Sequence, residues 1–120
     1  MSDILTGKTI VITGASRGLG AGMAERFLER GAQLGVCARS TCSVGSHERV
    51  VAAQLDMSDS QAVAAFAQTV QEQLGDIDLW INNAGVLEPI RFVRDLSGEE
   101  LEQHLRINVL GVLNGTHACR

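Results

Sequence analysis

Apolar and polar positions along this 120-residue chain follow two alternating rhythms. Short unbroken apolar runs read as strands buried on both faces: Thr9 to Ile12, Gln33 to Ala38, Val50 to Leu55 and Ile77 to Ile81. Between them, apolar residues recur at helical spacing. Leu19, Met23, Phe27 and Leu28 form one stripe, which Gly31 ends. Val63, Phe66, Ala67, Val70 and Leu74 form a second; Ser58 begins that helix, with Gln61 placed to complete a capping box, and Gly75 closes it. Ser97 and Glu100 make another capping box, opening a last helix with Leu101, Leu105, Val109 and Val112 on one side. Buried strands alternating with helices predict a parallel sheet with right-handed crossovers. One connection is short. Arg39 to Arg49 spans about 11 residues, where a parallel crossover needs roughly a dozen and usually a helix. Its serines and Gly45 predict an irregular loop or a single turn. No internal repeat, low-complexity tract or linker interrupts the pattern.

Composition narrows the class. Hydrophobic residues make up 45% and charged residues 20%, as in a soluble globular domain. The net charge is −4 with no basic run, which argues against nucleic acid and against an anionic membrane as partners. No apolar run reaches membrane-spanning length, and Met1 to Lys8 carries no signal pattern, so the expected location is cytoplasmic. Cys37, Cys42 and Cys119 show no metal-ligand or redox spacing and read as unpaired thiols. His47, His104 and His117 are scattered, and no metal site is expected.

The chemistry begins after the first strand, at Thr13-Gly14-Ala15-Ser16-Arg17-Gly18-Leu19-Gly20. A helix N-terminus offers unpaired N–H groups and partial positive charge, and so receives phosphate. Glycine lets the backbone turn sharply and approach a pyrophosphate with no Cβ between them. Gly20, on the first turn of the helix, permits close packing against the strand. The spacing Gly-x-x-x-Gly-x-Gly differs from the general dinucleotide fingerprint Gly-x-Gly-x-x-Gly. It resembles the short-chain dehydrogenase/reductase (SDR) family, whose Thr-Gly-x-x-x-Gly-x-Gly signature is matched by Thr13, Gly14, Gly18 and Gly20. The extended subfamily spaces its glycines differently and fits less well. Three further stretches match in order: Asp56 after the third strand, Asn82-Asn83-Ala84-Gly85 after the fourth, and Asn108 on the following helix.

The resemblance implies an α/β fold: a partial, Rossmann-type doubly wound parallel sheet of about four strands in the order 3-2-1-4. It implies a cofactor site of Gly14, Ser16, Arg17, Gly18, Leu19, Gly20, Arg39, Asp56, Met57, Asn83, Ala84 and Gly85. In that site Asp56 contacts the adenine, Met57 offers its N–H to the ring, and Asn83, Ala84 and Gly85 line a ribose. Asn82 braces the sheet through side-chain hydrogen bonds. Asn108 is the catalytic candidate, holding a water of the proton relay. The cofactor expected is NADP(H). NAD-binding members place an acid about 20 residues past the glycine turn for the ribose 2′-OH. Here the second strand ends Cys37-Ala38-Arg39, with no acid, and Arg39 and Arg17 approach a 2′-phosphate from two sides.

The family's chemistry uses a Tyr-x-x-x-Lys pair and an upstream Ser, the cation bringing a phenol pKa of ~10 towards neutrality. This sequence contains no tyrosine. The resemblance therefore implies that residues 1–120 are a truncated SDR domain: the N-terminal, NADP-binding half of a carbonyl reductase or alcohol dehydrogenase, inactive in hydride transfer by itself. Its expected partners are a small carbonyl or alcohol substrate in the full-length form, and further copies of itself through the last helix, as dimer or tetramer. The fourth strand is expected to lack its next neighbour. The stretch Val86-Leu87-Glu88-Pro89-Ile90 is similar to that of members that reduce ketones or diketones. The competing reading is a non-catalytic NADP-binding regulator or scaffold; a reading frame past Arg120 encoding Tyr-x-x-x-Lys separates the two. A different nucleotide binder is disfavoured, since no Gly-Lys-Ser/Thr phosphate loop is present.

Overall fold

The computed structural model describes residues 4–86 and 92–119. Four strands form one parallel sheet in the order β3-β2-β1-β4. They are β1 (Thr9–Thr13), β2 (Gln33–Ala38), β3 (Val50–Gln54) and β4 (Leu79–Ile81). The helices are α1 (Gly18–Glu29), α2 (Ser60–Leu74), α3 (Gly98–Leu105) and α4 (Gly111–Cys119). Register pairs Ile10 with Leu34 and with Leu79, so β1 lies between β2 and β4, while β3 is aligned on β2. The predicted order and alternation are those observed.

Alternation of side chains along β1 and β2 divides the core into two layers. Ile10, Ile12, Leu34 and Val36 pack with Ala24 and Ala32 on the α1 side. Val11, Cys37 and Val51 pack with Val63, Phe66 and Val70 on the α2 side. The short connection after β2 holds a single 3-10 turn, Ser43–Ser46, as its composition predicts.

Three expectations need correction. Leu19 does not belong to the core stripe of α1; it is 73% exposed. Gly20 and Ala24 occupy the inner side there, because α1 lies too close to the sheet for a larger side chain. The N-cap of α2 is Asp59, whose carboxylate accepts from the Ala62 N–H, and not Ser58. Ser58 is engaged instead by Asp56 Oδ1, which accepts from its N–H at 2.9 Å and from its hydroxyl at 2.8 Å. Asn82 ties β4 to α4 and does not brace the sheet: its Oδ1 accepts from Trp80 Nε1 and its Nδ2 donates to Thr116 Oγ1. The Ser97–Glu100 capping box opens α3 as predicted.

Candidate functional site

The site starts from Thr13, the last residue of β1. Its buried hydroxyl accepts from the N–H groups of Asn83 and Ala84, both at 3.0 Å, and so fastens the segment after β4 beside the turn after β1. Gly14 follows with φ +68°, a conformation that strongly favours glycine. A Cβ there would lie 2.7 Å from Ala84 Cα, so the two segments touch backbone to backbone. The N–H groups of Gly14 and Ala15 donate to the Cys37 carbonyl, tying the same turn to β2. Gly20 meets this junction from the helix: a Cβ would overlap the Gly14 carbonyl and Asn83 Nδ2. Asn83 Nδ2 donates to that carbonyl at 3.1 Å, closing the junction.

Gly18 differs from these glycines. Its φ is +59°, yet no atom lies within 4 Å of where a Cβ would stand. The turn is therefore open on that side, ahead of the first-turn amides of α1, which have no helical acceptor. Arg17, the N-cap of α1, is extended, with no cap bond from its side chain, and exposed.

These segments surround a cavity of about 500 Å³ at the carboxyl ends of β1 and β4, where the strand order reverses. Of the residues expected at the cofactor site, Gly14, Ser16, Arg17, Gly18, Arg39, Met57, Asn83, Ala84 and Gly85 line it. Ala38, Ser40, Leu55, Val86 and Ile107 line it too. Arg17 and Arg39 border this one cavity, and no carboxylate is among its lining residues. Leu19, Gly20 and Asp56 do not line it. Asp56 lies just outside, beside Met57. Its carboxyl is held below the usual carboxylate range, chiefly by the Ser58 N–H, with further help from the Ser58 hydroxyl and the nearby Arg39 and Arg106.

Asn108 sits outside the lining in a π-helical turn, Arg106–Leu110, that joins α3 to α4 in one helical run. Such turns recur at functional sites. Its amide grips the Val86 main chain with both ends: Oδ1 accepts from the N–H at 2.7 Å and Nδ2 donates to the carbonyl at 2.8 Å. Val86 is thereby fixed at the cavity's edge. Residues 87–90 of the stretch after Val86 lie outside the described residues.

Sequence reasoning missed Asn114. It is buried in α4, and its Nδ2 donates to the Met57 carbonyl at 2.8 Å. A polar residue within an otherwise apolar helix is the available signal, masked in the sequence because the more apolar side of that helix, with Leu105, Val109 and Val112, is the exposed one. Ser40 was also missed; it directly follows Arg39 at the end of β2. Cys37 and Cys42 are buried free thiols, and burial, with the neighbouring Cys42, pushes the Cys37 thiol up to about 12. The thiol is therefore a packing group rather than a nucleophile. Among the described residues no cluster suits a metal ion, and no helix is long and apolar enough to cross a membrane.

Residues 8–120 match the family model described as short chain dehydrogenase. The chain is 38% identical over 123 residues to the oxidoreductase UcpA of Escherichia coli, across 95% of this chain and 46% of that protein. It is 36% identical to 3beta-hydroxysteroid dehydrogenase 1 of Eggerthella lenta, across 100% and 48%. It is 31% identical to the NADP-dependent (R)-specific alcohol dehydrogenase of Lentilactobacillus kefiri, across 97% and 48%. A 3-ketoacyl-(acyl-carrier-protein) reductase from Brucella melitensis, solved with NADH, superposes with a TM-score of 0.86 at 30% identity, covering 94% of this chain and 49% of that one. The chain spans about half the length of these curated relatives.

Proposed function

Since the chain belongs to the short-chain dehydrogenase family, we propose that it is the NADP(H)-binding portion of an oxidoreductase acting on a small carbonyl or alcohol. The observation that carries this reading is the cavity at the reversal of strand order, with both Arg17 and Arg39 among its lining residues. Its features fit the cofactor. The open side of Gly18 and the free amides of α1 suit a pyrophosphate. Asn83, Ala84 and Gly85 suit a ribose, and Met57 with Asp56 suits the adenine. Ala38, Arg39 and Ser40 present no carboxylate to repel a 2′-phosphate. Relatives include both an NADP-dependent enzyme and one solved with NADH, so the choice of cofactor rests on this chain's own residues.

A bound nicotinamide cofactor supplies the hydride chemistry. This chain's residues hold and orient it: amides and guanidinium groups bind charge, Thr13 and Asn83 keep the two loops at fixed separation, and Asn108 fixes Val86 at the edge. Asn108 is the residue proposed for the proton relay. The proposed compartment is the cytoplasm, since the buried, unpaired Cys37 and Cys42 suit a reducing one. The proposed assembly is a homo-oligomer through the last helix.

Titration of the chain with NADPH and NADH, followed by cofactor fluorescence, tests the cofactor. The pair Arg17→Ala and Arg39→Ala removes two charge-assisted contacts of ~1.5–3 kcal/mol each. NADPH affinity is expected to fall about a hundredfold or more while NADH affinity hardly changes. Equal losses for the two would reject the 2′-phosphate role.

A further inference from the structure

We infer that Asn114 is a positioning residue for adenine recognition, holding Met57 so that the cavity reads the hydrogen-bonding edge of the base. This rests on the cofactor reading above. Asn114 lies six residues beyond Asn108, on α4, and does not line the cavity. It is 7% exposed, one of the few buried polar side chains among the described residues. Asparagine is a poor helix former and costs desolvation when buried, so its place in a packed helix calls for a partner. The partner is the Met57 carbonyl, 57 residues away in sequence, at 2.8 Å.

Met57 is held on three sides. Asn114 fixes its carbonyl. Gly111, one helical turn before Asn114, lets α4 come so close that an added Cβ would lie 2.9 Å from Met57 Cβ. Cys37 Sγ lies 3.9 Å from Met57 Sδ beneath it. The preceding Asp56 carboxylate is fixed in turn by Ser58. On the cofactor reading, the Met57 N–H and the Asp56 carboxylate, just outside the cavity lining, serve as adjacent donor and acceptor. Adenine presents the complement, a ring-nitrogen acceptor beside an amino donor. Hypoxanthine presents the reverse, a ring N–H beside a carbonyl oxygen. A rigid Met57 rejects it; a loosened one tolerates it.

The test measures binding of NADPH and of its hypoxanthine analogue to the unaltered chain, to Asn114→Leu and to Gly111→Ala. The unaltered chain is expected to prefer the adenine form by at least about tenfold, the value of one misplaced hydrogen bond to a charged group. Both variants are expected to lose most of that preference, since each frees or shifts Met57 by a separate route. Circular dichroism checks folding, and either folded variant suffices. Equal weakening of both ligands, with the preference kept, overturns the inference and leaves Asn114 a purely structural residue. Failure of the unaltered chain to bind either ligand rejects the cofactor reading instead. Binding without preference in the unaltered chain also overturns the inference.

Discussion

Thr13 Oγ1 serves two main-chain donors at once, and this is why a small hydroxyl rather than a β-branched hydrocarbon ends β1. Valine has the same shape and would leave the Asn83 and Ala84 N–H groups without that acceptor. Thr13→Val is expected to cost about 2–3 kcal/mol, the desolvation of two stranded donors. The shift in the urea midpoint measures it; a loss under about 0.5 kcal/mol, the size of an ordinary surface substitution, would mean that water replaces the hydroxyl. Gly14, Gly18 and Gly20 were legible in the sequence as one motif, with Gly20 already assigned to packing, but Gly14 and Gly18 separate in role only in three dimensions. Gly14 and Gly20 make room for other parts of the protein, whereas Gly18 faces open space. Arg17 and Arg39 were equally legible as candidates, because a missing acid and two cations are local facts. That they border one cavity is a consequence of β1 lying beside β2.

At the scale of elements, α1 ends locally, at Gly31 with φ +92°, but the turn beyond it is held by a residue remote in sequence. Carbonyls at a helix C-terminus carry partial negative charge, which favours a cation. Arg49, just ahead of β3, supplies two donors there: Nη1 donates to the Ala32 carbonyl at 2.7 Å and Nη2 to the Leu28 carbonyl at 3.0 Å. The guanidinium thus joins the turn after α1 to the start of β3, across the short crossover that has no helix of its own. Arg49→Met keeps most of the apolar stem and is expected to cost about 1.5–2 kcal/mol, with Arg49→Lys recovering only part. Chemical denaturation of the three proteins compares them; full recovery by lysine would show that charge alone matters and the fork does not. The start of α2 shows why caps are harder to read than helices. Ser58 with Gln61 and Asp59 with Ala62 differ by one residue, and both offer a capping oxygen. Asp56 decides between them by taking Ser58 for its own turn.

At the scale of the molecule, the last helical run has two unlike faces. The packed one carries Ile107, Gly111, Asn114 and Gly115, mostly small or polar. The outer one carries Leu101, Leu105, Val109, Val112 and Leu113, all exposed. At the sheet's edge, Leu79 of β4 is also exposed. Contiguous apolar surface of this kind marks association. Sedimentation velocity is expected to show a concentration-dependent oligomer, and Leu105→Glu with Val109→Glu to shift it to monomer with an unchanged circular dichroism spectrum. A monomer at every concentration before substitution would remove the proposed interface.

The sequence by itself determined the succession of strands and helices, the glycine turn, the family and most of the residues around the cavity. These depend on periodicity and on turn chemistry, which act over a few neighbouring residues. Tertiary structure decided which side of the last helix faces inward, because close approach to Met57 and to Asn82 favours small side chains over large apolar ones. It also decided the pairing of Asn114 with Met57 and of Arg49 with α1. Hydrogen bonds between distant segments exist only once packing has removed water and brought both partners to fixed positions.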